Sequence, residues 1–430
     1  MDNTRRQILH TATAGVALGA LGACAAPGMR AGAPAKAQVV VIGGGYGGAT
    51  TAKYIRKWSD NRISVVLVEP NADFISCPVS NLVIGGTREM DDITVSYANL
   101  EKKHGVQRVR DRVTKIDAAA RKVTLGSGAT IAYDKLVVSP GIDFIYDSLP
   151  GLQSAAAREK ILHAWQAGPQ TTALRRQLEA MPDGGIFAIA IPRMPYRCPP
   201  GPYERACMVA AYFRREKPRS KVLVLDANDD VTSKGKLFKA AWAQHYKGII
   251  EYRPAHTLTD VDVAGNRLVF EFEDPIKAAV LNVLPPMRAG SIAVQSGLAT
   301  ANGRWCEVNF IDFESKVAKD VHVLGDSIQP APTMPKSGHM ANQQAKICAA
   351  AIVAKLSGQP VDDSPLAMNT CYSFVTEREV VHVASVHAYD ARQATYLPVG
   401  GAGGLSPAPS EAEGLAADAW ARSIWSDMLG

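Results

Sequence analysis

Short, uninterrupted apolar runs separated by helix-forming stretches dominate the chain after residue 35. The first run, residues 39–42, is followed by a glycine-rich turn and then by residues 49–58, which contain neither glycine nor proline. A second run, residues 63–68, ends at Glu69. Fully apolar runs of this length are typical of parallel strands buried on both faces, and the stretch between them favours a helix. The pattern therefore predicts a β-α-β unit with a parallel sheet.

The turn between this first strand and its helix has the spacing G-x-G-x-x-G, with Gly43, Gly45 and Gly48. Gly43 permits the tight turn, Gly45 lets backbone N–H groups approach a pyrophosphate, and Gly48 lets helix and strand pack closely. The helix N-terminus favours phosphate charge. Glu69, about twenty residues farther on, can accept hydrogen bonds from a ribose diol. A lone glycine motif is often only a turn, but all these parts in register predict a dinucleotide site.

Later segments are predicted to complete this site. A strand over residues 110–117 would place the backbone near Val113 beside an adenine, and an apolar strand ending near residue 139 leads into a small-residue turn at Gly141. Far along the chain, a strand at residues 321–324 is followed by Asp326, and Lys336 precedes a helix predicted from residue 338 to residue 356. A strand-Gly-Asp sequence sets a carboxylate against the ribityl chain of a flavin, and a helix N-terminus favours negative charge at its pyrimidine end.

A second α/β unit is predicted over residues 151–285, with strands at residues 185–191 and 221–225. A flavoprotein that takes hydride from a nicotinamide needs another glycine-rich phosphate loop after the first of these strands. Residues 192–202 are instead rich in proline, which has no N–H group to offer a phosphate. We therefore expect that NAD(P)H is not the electron donor.

The segment beyond residue 362 predicts a strand around residues 379–386, a glycine-rich loop at residues 400–404 and a last helix from Glu411. Because the polar face of that helix is acidic, we expect its apolar stripe to pack in the core or against a subunit rather than on a membrane. The stripe consists of Trp420, Ile424, Trp425 and Met428.

The N-terminus has the pattern of an export signal. Residues 4–9 contain a twin arginine, and the small-residue apolar run that follows over residues 11–23 is too short to span a bilayer. This pattern predicts export to the periplasm by the twin-arginine pathway. Processing at a lipoprotein-type site would leave Cys24 lipidated, whereas cleavage at the A-x-A site of residues 33–35 would not, and the sequence leaves both open.

Composition limits the remaining possibilities. A chain of 430 residues suffices for two or three domains, and its net charge of +6 includes no basic run of the kind that binds nucleic acid. None of the seven cysteines is spaced C-x-x-C, which argues against a metal site or an attached haem. In an oxidising compartment some of them should be paired or modified. We expect Cys207, Cys306 and Cys348 to be buried thiols.

The other cysteines have more distinctive surroundings. Cys77 follows the predicted ribose acid closely, and its ordinary role would be that of a small buried hydrophobe. Cys198 lies in the proline-rich loop and Cys371 in the C-terminal segment. From their spacing alone, a structural disulfide between these two is as reasonable as a reactive one.

The motifs around these cysteines resemble the flavoprotein subunit of flavocytochrome c sulfide dehydrogenase, over essentially the whole length that follows the export signal. Two departures are a proline at position 78, where the family often has an aromatic residue, and the sequence S-I-Q-P at residues 327–330. The resemblance rests on C-P-P-G-P-Y-E-R at 198–205, M-P-K-S-G at 334–338, N-T-C-Y-S at 369–373, the 43–48 loop, E-P-N at 69–71, Cys77 with Ser80 and Asn81, and I-G-G at 84–86.

This resemblance implies an α/β fold with two Rossmann-like three-layer domains of the glutathione-reductase type and a C-terminal α+β interface domain. It implies FAD attached through its 8α carbon to Cys77, a redox-active disulfide between Cys198 and Cys371 beside the isoalloxazine, sulfide as substrate and a c-type cytochrome subunit as electron acceptor. The expected boundaries are 1–35 for the export signal, 36–150 and 286–360 for the FAD-binding domain, 151–285 for the second domain and 361–430 for the interface domain.

The implied reaction begins with attack of hydrosulfide on the disulfide, which leaves a persulfide on one cysteine and a thiolate on the other. Glu204 is the predicted acceptor of the substrate proton if burial raises its pKa; a salt bridge with Arg205 or another arginine is the alternative. Three other functions stay open: a sulfide:quinone oxidoreductase, a type II NADH dehydrogenase, which would need the missing phosphate loop, and a flavin module that does not turn over sulfide. The sulfur product is not determined.

Overall fold

A computed structural model describes residues 36–430. The predicted export signal, Cys24 and the alternative processing site at residues 33–35 lie outside the described residues.

The predicted β-α-β unit forms the centre of a seven-stranded sheet. Its strand order is β19-β20-β21-β9-β1-β2-β5, and β1 pairs in parallel with β2 on one side and with β9 on the other. The N-terminal part of the chain supplies β1 Gln38–Ile42, α1 Tyr46–Trp58, β2 Ser64–Val68, β3 Asp73–Ile75, α2 Ser80–Ile84, β4 Thr94–Ser96, α3 Ala98–Lys102, β5 Gln107–Val109, β6 Val113–Asp117, β7 Lys122–Leu125, β8 Thr130–Ala132, β9 Lys135–Val138 and β10 Ile142–Phe144.

The second α/β unit is built on a four-stranded parallel sheet in the order β13-β12-β11-β17. The two strands predicted for it are β11 and β12, within one residue at each end. Its elements are α4 Ala155–Lys160, α5 Pro169–Ala180, β11 Ile186–Ile191, α6 Gly201–Glu216, β12 Lys221–Asp226, α7 Gly235–His245, β13 Ile250–Arg253, β14 Leu258–Asp262, β15 Arg267–Phe270, β16 Ile276–Lys277 and β17 Val280–Val283.

The chain then returns to the first sheet, where β21 pairs in parallel with β9. The helix that follows covers residues 338–356, as predicted, and its N-cap is Ser337, whose side chain accepts a hydrogen bond from Met340 N. This return comprises β18 Met287–Ala289, α8 Ser291–Gln295, β19 Val308–Asn309, β20 Glu314–Ser315, β21 Val321–Val323 and α9 Gly338–Leu356.

The C-terminal segment forms a three-stranded antiparallel sheet, β22 Leu366–Phe374, β23 Val380–Asp390 and β24 Thr395–Leu405, followed by α10 Glu411–Leu429. The loop predicted at residues 400–404 is wrong, because these residues belong to β24. One of its glycines permits close approach of the strands: Gly403 pairs with Ser385 at φ +134°, and a side chain there would overlap the Ala384 carbonyl.

The apolar stripe of α10 packs in the core, as one of the two predicted alternatives. Ile424 and Met428 are buried, and Trp420 and Trp425 pack against the same core. Within residues 36–430, no helix is long and apolar enough to cross a membrane.

Candidate active site

A cavity of about 380 Å³ lies between the glycine-rich turn, the proline-rich loop and the C-terminal sheet. Its volume falls in the range of small-molecule sites. Residues far apart in the sequence meet in its wall. The predicted site residues that line it are Gly43, Gly45, Glu69, Cys77, Gly141, Cys198, Glu204, Asp326 and Cys371.

The glycine-rich turn has the shape that a phosphate group requires. Gly43 has φ +93°, and its N–H donates to the Val68 carbonyl at 3.0 Å. A Cβ on Gly48 would overlap the Gly43 carbonyl, so only glycine permits this contact between α1 and the turn. A Cβ on Gly45 would meet nothing within 4 Å. Gly45 therefore leaves an open space in the cavity wall, in front of the N-terminus of α1.

The carboxylate of Glu69 is fixed at the end of β2 by three N–H donors. Its Oε2 accepts from Gly44 N at 2.7 Å, and its Oε1 accepts from Asn71 N at 2.8 Å and Asn71 Nδ2 at 2.7 Å. Each carboxylate oxygen can accept further hydrogen bonds. Glu69 is therefore held ready for a ligand hydroxyl, as the dinucleotide pattern predicts.

Asp326 presents an orphaned polar atom. Within the described residues, its buried Oδ1 has no hydrogen-bond partner. Burial raises the pKa of this carboxyl group, while the charges of Arg197 and Lys336 act in the opposite direction. Buried oxygens without a partner are rare unless a ligand or water completes them. A ribityl hydroxyl would satisfy Oδ1, so the residues present fit a flavin.

Three of the predicted cofactor residues lie outside the cavity wall. Gly48 lies behind the cavity wall, where its lack of a side chain lets α1 pack against the glycine-rich turn. Val113 is buried at the start of β6, where it pairs with Leu125. The structure thus does not bring its backbone to the cavity.

Lys336 also points away from the cavity. Its ammonium donates to the carbonyl oxygens of Asp326 and Ile328 and lies 3.6 Å from the centre of the Trp305 ring. Burial lowers the pKa of Lys336 to about 7. Its contacts fix the turn that carries Asp326, so its effect on a ligand is indirect.

Cys198 and Cys371 reach the cavity from different elements. Cys198 has φ +58° and is anchored by two backbone hydrogen bonds, from its own N–H to the Lys336 carbonyl and from Gly201 N to its carbonyl, both at 2.9 Å. Cys371, on β22, has its Sγ 3.4 Å from Asn369 Nδ2. Burial raises the pKa of the Cys198 thiol, and the nearby Cys371 and Glu204 raise it further. The disulfide between these two residues stays a prediction.

Glu204, in the first turn of α6, joins the two cysteine-bearing regions. Its Oε2 accepts from Asn81 Nδ2 at 2.7 Å, and its Oε1 accepts from Phe374 N at 2.9 Å. Burial raises the pKa of this carboxyl group. Arg205 directs its guanidinium elsewhere, to the Asn81 side chain, to Asn282 and to backbone carbonyls. The structure thus meets the condition for a proton acceptor and does not form the alternative salt bridge.

Cys77 also lines the cavity, and its Sγ accepts a hydrogen bond from Ala167 N at 3.4 Å. Arg197, which the sequence reasoning missed, lies beside it. Burial alone would lower the pKa of Arg197, but Cys77, Asp326 and Cys198 together raise it. Its position next to Cys198 in the sequence was an available signal.

Lys234 was also missed, and no sequence motif marks it. It is buried at the start of α7 and approaches Cys371 from the second α/β unit. Such a position follows only from the packing of α7 on the C-terminal sheet.

Three family models match the chain. "Pyridine nucleotide-disulphide oxidoreductase" matches residues 37–179, "Sulfide dehydrogenase [flavocytochrome c] flavoprotein chain, central" matches residues 171–285, and "Flavocytochrome c sulphide dehydrogenase, flavin-binding" matches residues 363–429. The flavin-binding match includes Cys371, and the central match includes Cys198 and Glu204.

Individual proteins agree with these matches. The chain is 63% identical to the sulfide dehydrogenase [flavocytochrome c] flavoprotein chain of Chlorobaculum thiosulfatiphilum over 46 residues, which are 11% of this chain and 94% of that one. It is 27% identical over 301 residues to the mitochondrial sulfide:quinone oxidoreductase of Mus musculus, covering 67% of this chain and 65% of the mouse protein.

The fold is shared with a solved structure, the sulfide:quinone oxidoreductase of Aquifex aeolicus. The TM-score is 0.74 over 91% of each chain, at 19% identity. The predicted α/β fold with its flavoprotein architecture is thereby confirmed. Together with the family matches on either side of the cavity, these comparisons show that the chain belongs to the family of flavocytochrome c sulfide dehydrogenase flavoprotein chains, a family of FAD-dependent sulfide oxidoreductases.

Proposed function

We propose that this chain oxidises sulfide through a redox-active disulfide between Cys198 and Cys371, with FAD bound in the cavity, and that its electrons pass to a c-type cytochrome subunit. The observation that carries the proposal is the meeting of Cys198, Cys371 and Glu204 in the wall that also contains Glu69 and Asp326. Two sulfurs, a buried carboxyl group and a dinucleotide cradle are the parts that this reaction needs.

The chain's own groups account for the first step. Hydrosulfide attacks one sulfur of the disulfide; a new S–S bond forms, the Cys198–Cys371 bond breaks, and the second sulfur leaves as a thiolate. Glu204 takes the proton that hydrogen sulfide gives up, because burial raises the pKa of its carboxyl group toward the range of a useful base.

Cationic side chains make the cavity favourable for anions. Arg197 and Arg205 both line it. The four acceptors of the Arg205 guanidinium are carbonyl and amide oxygens, so this charge is not neutralised by a carboxylate partner. Hydrosulfide and the phosphates of a dinucleotide would both be attracted.

FAD, when bound, supplies a two-electron acceptor that can return electrons singly to a haem. Glu69 and Gly45 would hold its adenosine ribose and pyrophosphate, and Asp326 its ribityl chain. We further propose that Cys77 attaches it covalently through the 8α carbon, which would keep the cofactor bound after export to the periplasm. We also propose that the twin-arginine signal directs this export. Processing that leaves a lipid on Cys24 and cleavage at residues 33–35 are its two alternatives.

The test compares two cysteine variants. Cys198→Ser should keep the bound yellow cofactor and lose its bleaching by sulfide. Cys207→Ser is the matched control, because Cys207 lies on α6 outside the cavity and accepts only the Trp242 indole N–H, at 3.2 Å, which a hydroxyl can also accept. Normal bleaching in Cys198→Ser would refute the role of the disulfide.

The electron acceptor needs its own assay. Purified protein is mixed with sulfide and either oxidised cytochrome c, with and without the haem subunit, or a soluble quinone. Reduction of the cytochrome at a rate well above that of the quinone is the expected result. Preference for the quinone would instead give this chain the activity named for its mouse and Aquifex relatives.

A further inference from the structure

Lys234 is a buried cation at the cysteine pair. Its side chain is 5% exposed, and its Nζ donates to the Cys371 carbonyl at 2.9 Å, to Ser373 Oγ at 2.8 Å and to the Val381 carbonyl at 3.4 Å. An ammonium group has three donors, and all three of these acceptors are neutral. The positive charge is therefore solvated by the protein without being neutralised by it.

A buried ammonium group whose own hydrogen-bond acceptors are all neutral is disfavoured unless opposite charges lie nearby. Burial lowers the pKa of Lys234 to about 8. Four groups raise the pKa of Lys234 when they are ionised. They are Cys371 on β22, Glu204 on α6, Cys198 in the loop before α6, and Glu413 on α10. Three of these four line the cavity.

The proposed exchange places a negative charge on the cysteine pair beside Lys234. Once Glu204 has taken the proton of hydrogen sulfide, attack of hydrosulfide on the disulfide leaves that charge on a cysteine sulfur. No further oxidant or reductant enters that step. Lys234 donates to the carbonyl of Cys371 itself, and none of its hydrogen-bond acceptors is a carboxylate. Its ammonium group is therefore placed to offset the charge of this thiolate.

We propose that Lys234 is a positioning residue for the reaction, which fixes the Cys371 segment of β22 and stabilises the thiolate that the exchange releases. This inference rests on the proposed function. Two buried groups hold the segment from the second α/β unit: Lys234 at the Cys371 carbonyl, and Glu204 at Phe374 N. Lys234 also brings a positive charge to this segment, which Glu204 cannot do.

The test measures thiolate reactivity in the reduced holoprotein and needs no turnover. The rate of alkylation of Cys371 by iodoacetamide is followed against pH by peptide mass spectrometry. Lys234→Gln should slow alkylation near neutral pH by about tenfold or more, because the thiolate is the reactive form and a neighbouring positive charge stabilises it. Lys236→Gln, the same charge change at an exposed position of α7, should leave the rate within about twofold.

Lys234→Arg separates charge from shape. This variant keeps the positive charge, so the alkylation rate of Cys371 should stay within about threefold of the wild-type rate. If Lys234→Gln does not fold, Lys234→Arg alone tests the role of the charge. A tenfold loss in a folded Lys234→Arg protein, or equal rates in Lys234→Gln and Lys236→Gln, would overturn the role of the charge. If wild-type protein is not bleached by sulfide, the proposed function fails, while the alkylation rates still decide the role of Lys234.

Discussion

Two glycines of one turn should respond to the same substitution in opposite ways. Gly45 and Gly48 both belong to the predicted dinucleotide motif, but a Cβ at Gly45 meets nothing within 4 Å. A Cβ at Gly48 would lie 3.0 Å from the carbonyl carbon of Gly43 and far closer to its oxygen, whereas real Cβ atoms essentially never come within 3.0 Å of another atom. Gly48→Ala should therefore damage the fold, and Gly45→Ala the ligand site.

The magnitude follows from what has to move. Gly43 cannot retreat, because its N–H is bonded to the Val68 carbonyl and its φ is +93°. Helix α1 must then separate from the turn by more than an ångström. Overpacking typically costs about 1–3 kcal/mol, and a backbone neighbour puts Gly48→Ala at about 3 kcal/mol or above. For a protein of this size that is a fall in the unfolding midpoint of roughly 4 °C or more.

Gly45→Ala is the matched variant. Gly45 has φ −72° and ψ −167°, which alanine adopts freely, so the unfolding midpoint of the apoprotein should change little. Its methyl group would enter the space assigned to the pyrophosphate, and the flavin content of the purified protein should fall well below that of wild type. Thermal unfolding and visible absorbance measure the two effects. Full flavin content in Gly45→Ala, or wild-type stability in Gly48→Ala, would refute the reasoning.

Two further outcomes are expected. Cys77→Ser should still bind flavin but release it on acid precipitation, because a serine hydroxyl is a far poorer nucleophile than a thiolate; a pellet that stays yellow would mean that the attachment is elsewhere. For Glu314, burial alone would raise the carboxyl pKa, but the hydrogen bonds from Lys355 and from the Asp320 N–H, together with nearby positive charge, lower the pKa from 4.5 to about 2. This depressed pKa contributes stability that is present above pH 4.5 and is lost as the pH falls through about 2. Lys355→Met should therefore flatten the acid dependence of unfolding in that window, and an unchanged slope in acid denaturation would contradict the assignment.

Local patterns predicted the scaffold well. The fully apolar runs became β1, β2, β11 and β12, because strands covered on both faces by helices have no polar side to present. The bounds of α9 were also predictable, since Ser337 caps the helix through a contact three residues away. The glycine spacing predicted the turn correctly for a similar reason. The turn from Gly43 to Gly48 is short, and its conformation depends mainly on its own residues.

The misplaced predictions all depend on partners distant in the sequence. Residues 400–404 resemble a loop by composition, but they lie within β24, where Gly403 and Gly404 pair with Ser385 and Ala384 of β23. Lys336 precedes a helix near the cavity, yet its ammonium group points away from the cavity, because it contacts the Asp326 carbonyl and the Trp305 ring. Val113 lies in a strand as predicted, but the hairpin to which that strand belongs keeps it away from the cavity wall.

The sequence by itself determined the α/β scaffold, the dinucleotide cradle and, through motifs around its cysteines, the family. Tertiary structure alone decided that Cys198 and Cys371 share a cavity, that Glu204 bonds to Asn81 and Phe374 rather than to Arg205, and that Lys234 stands beside Cys371. The physical reason is the distance along the chain over which each kind of interaction acts. Strand and turn preferences act between near neighbours, whereas the protonation and charge of a buried group depend on what the whole fold packs around it.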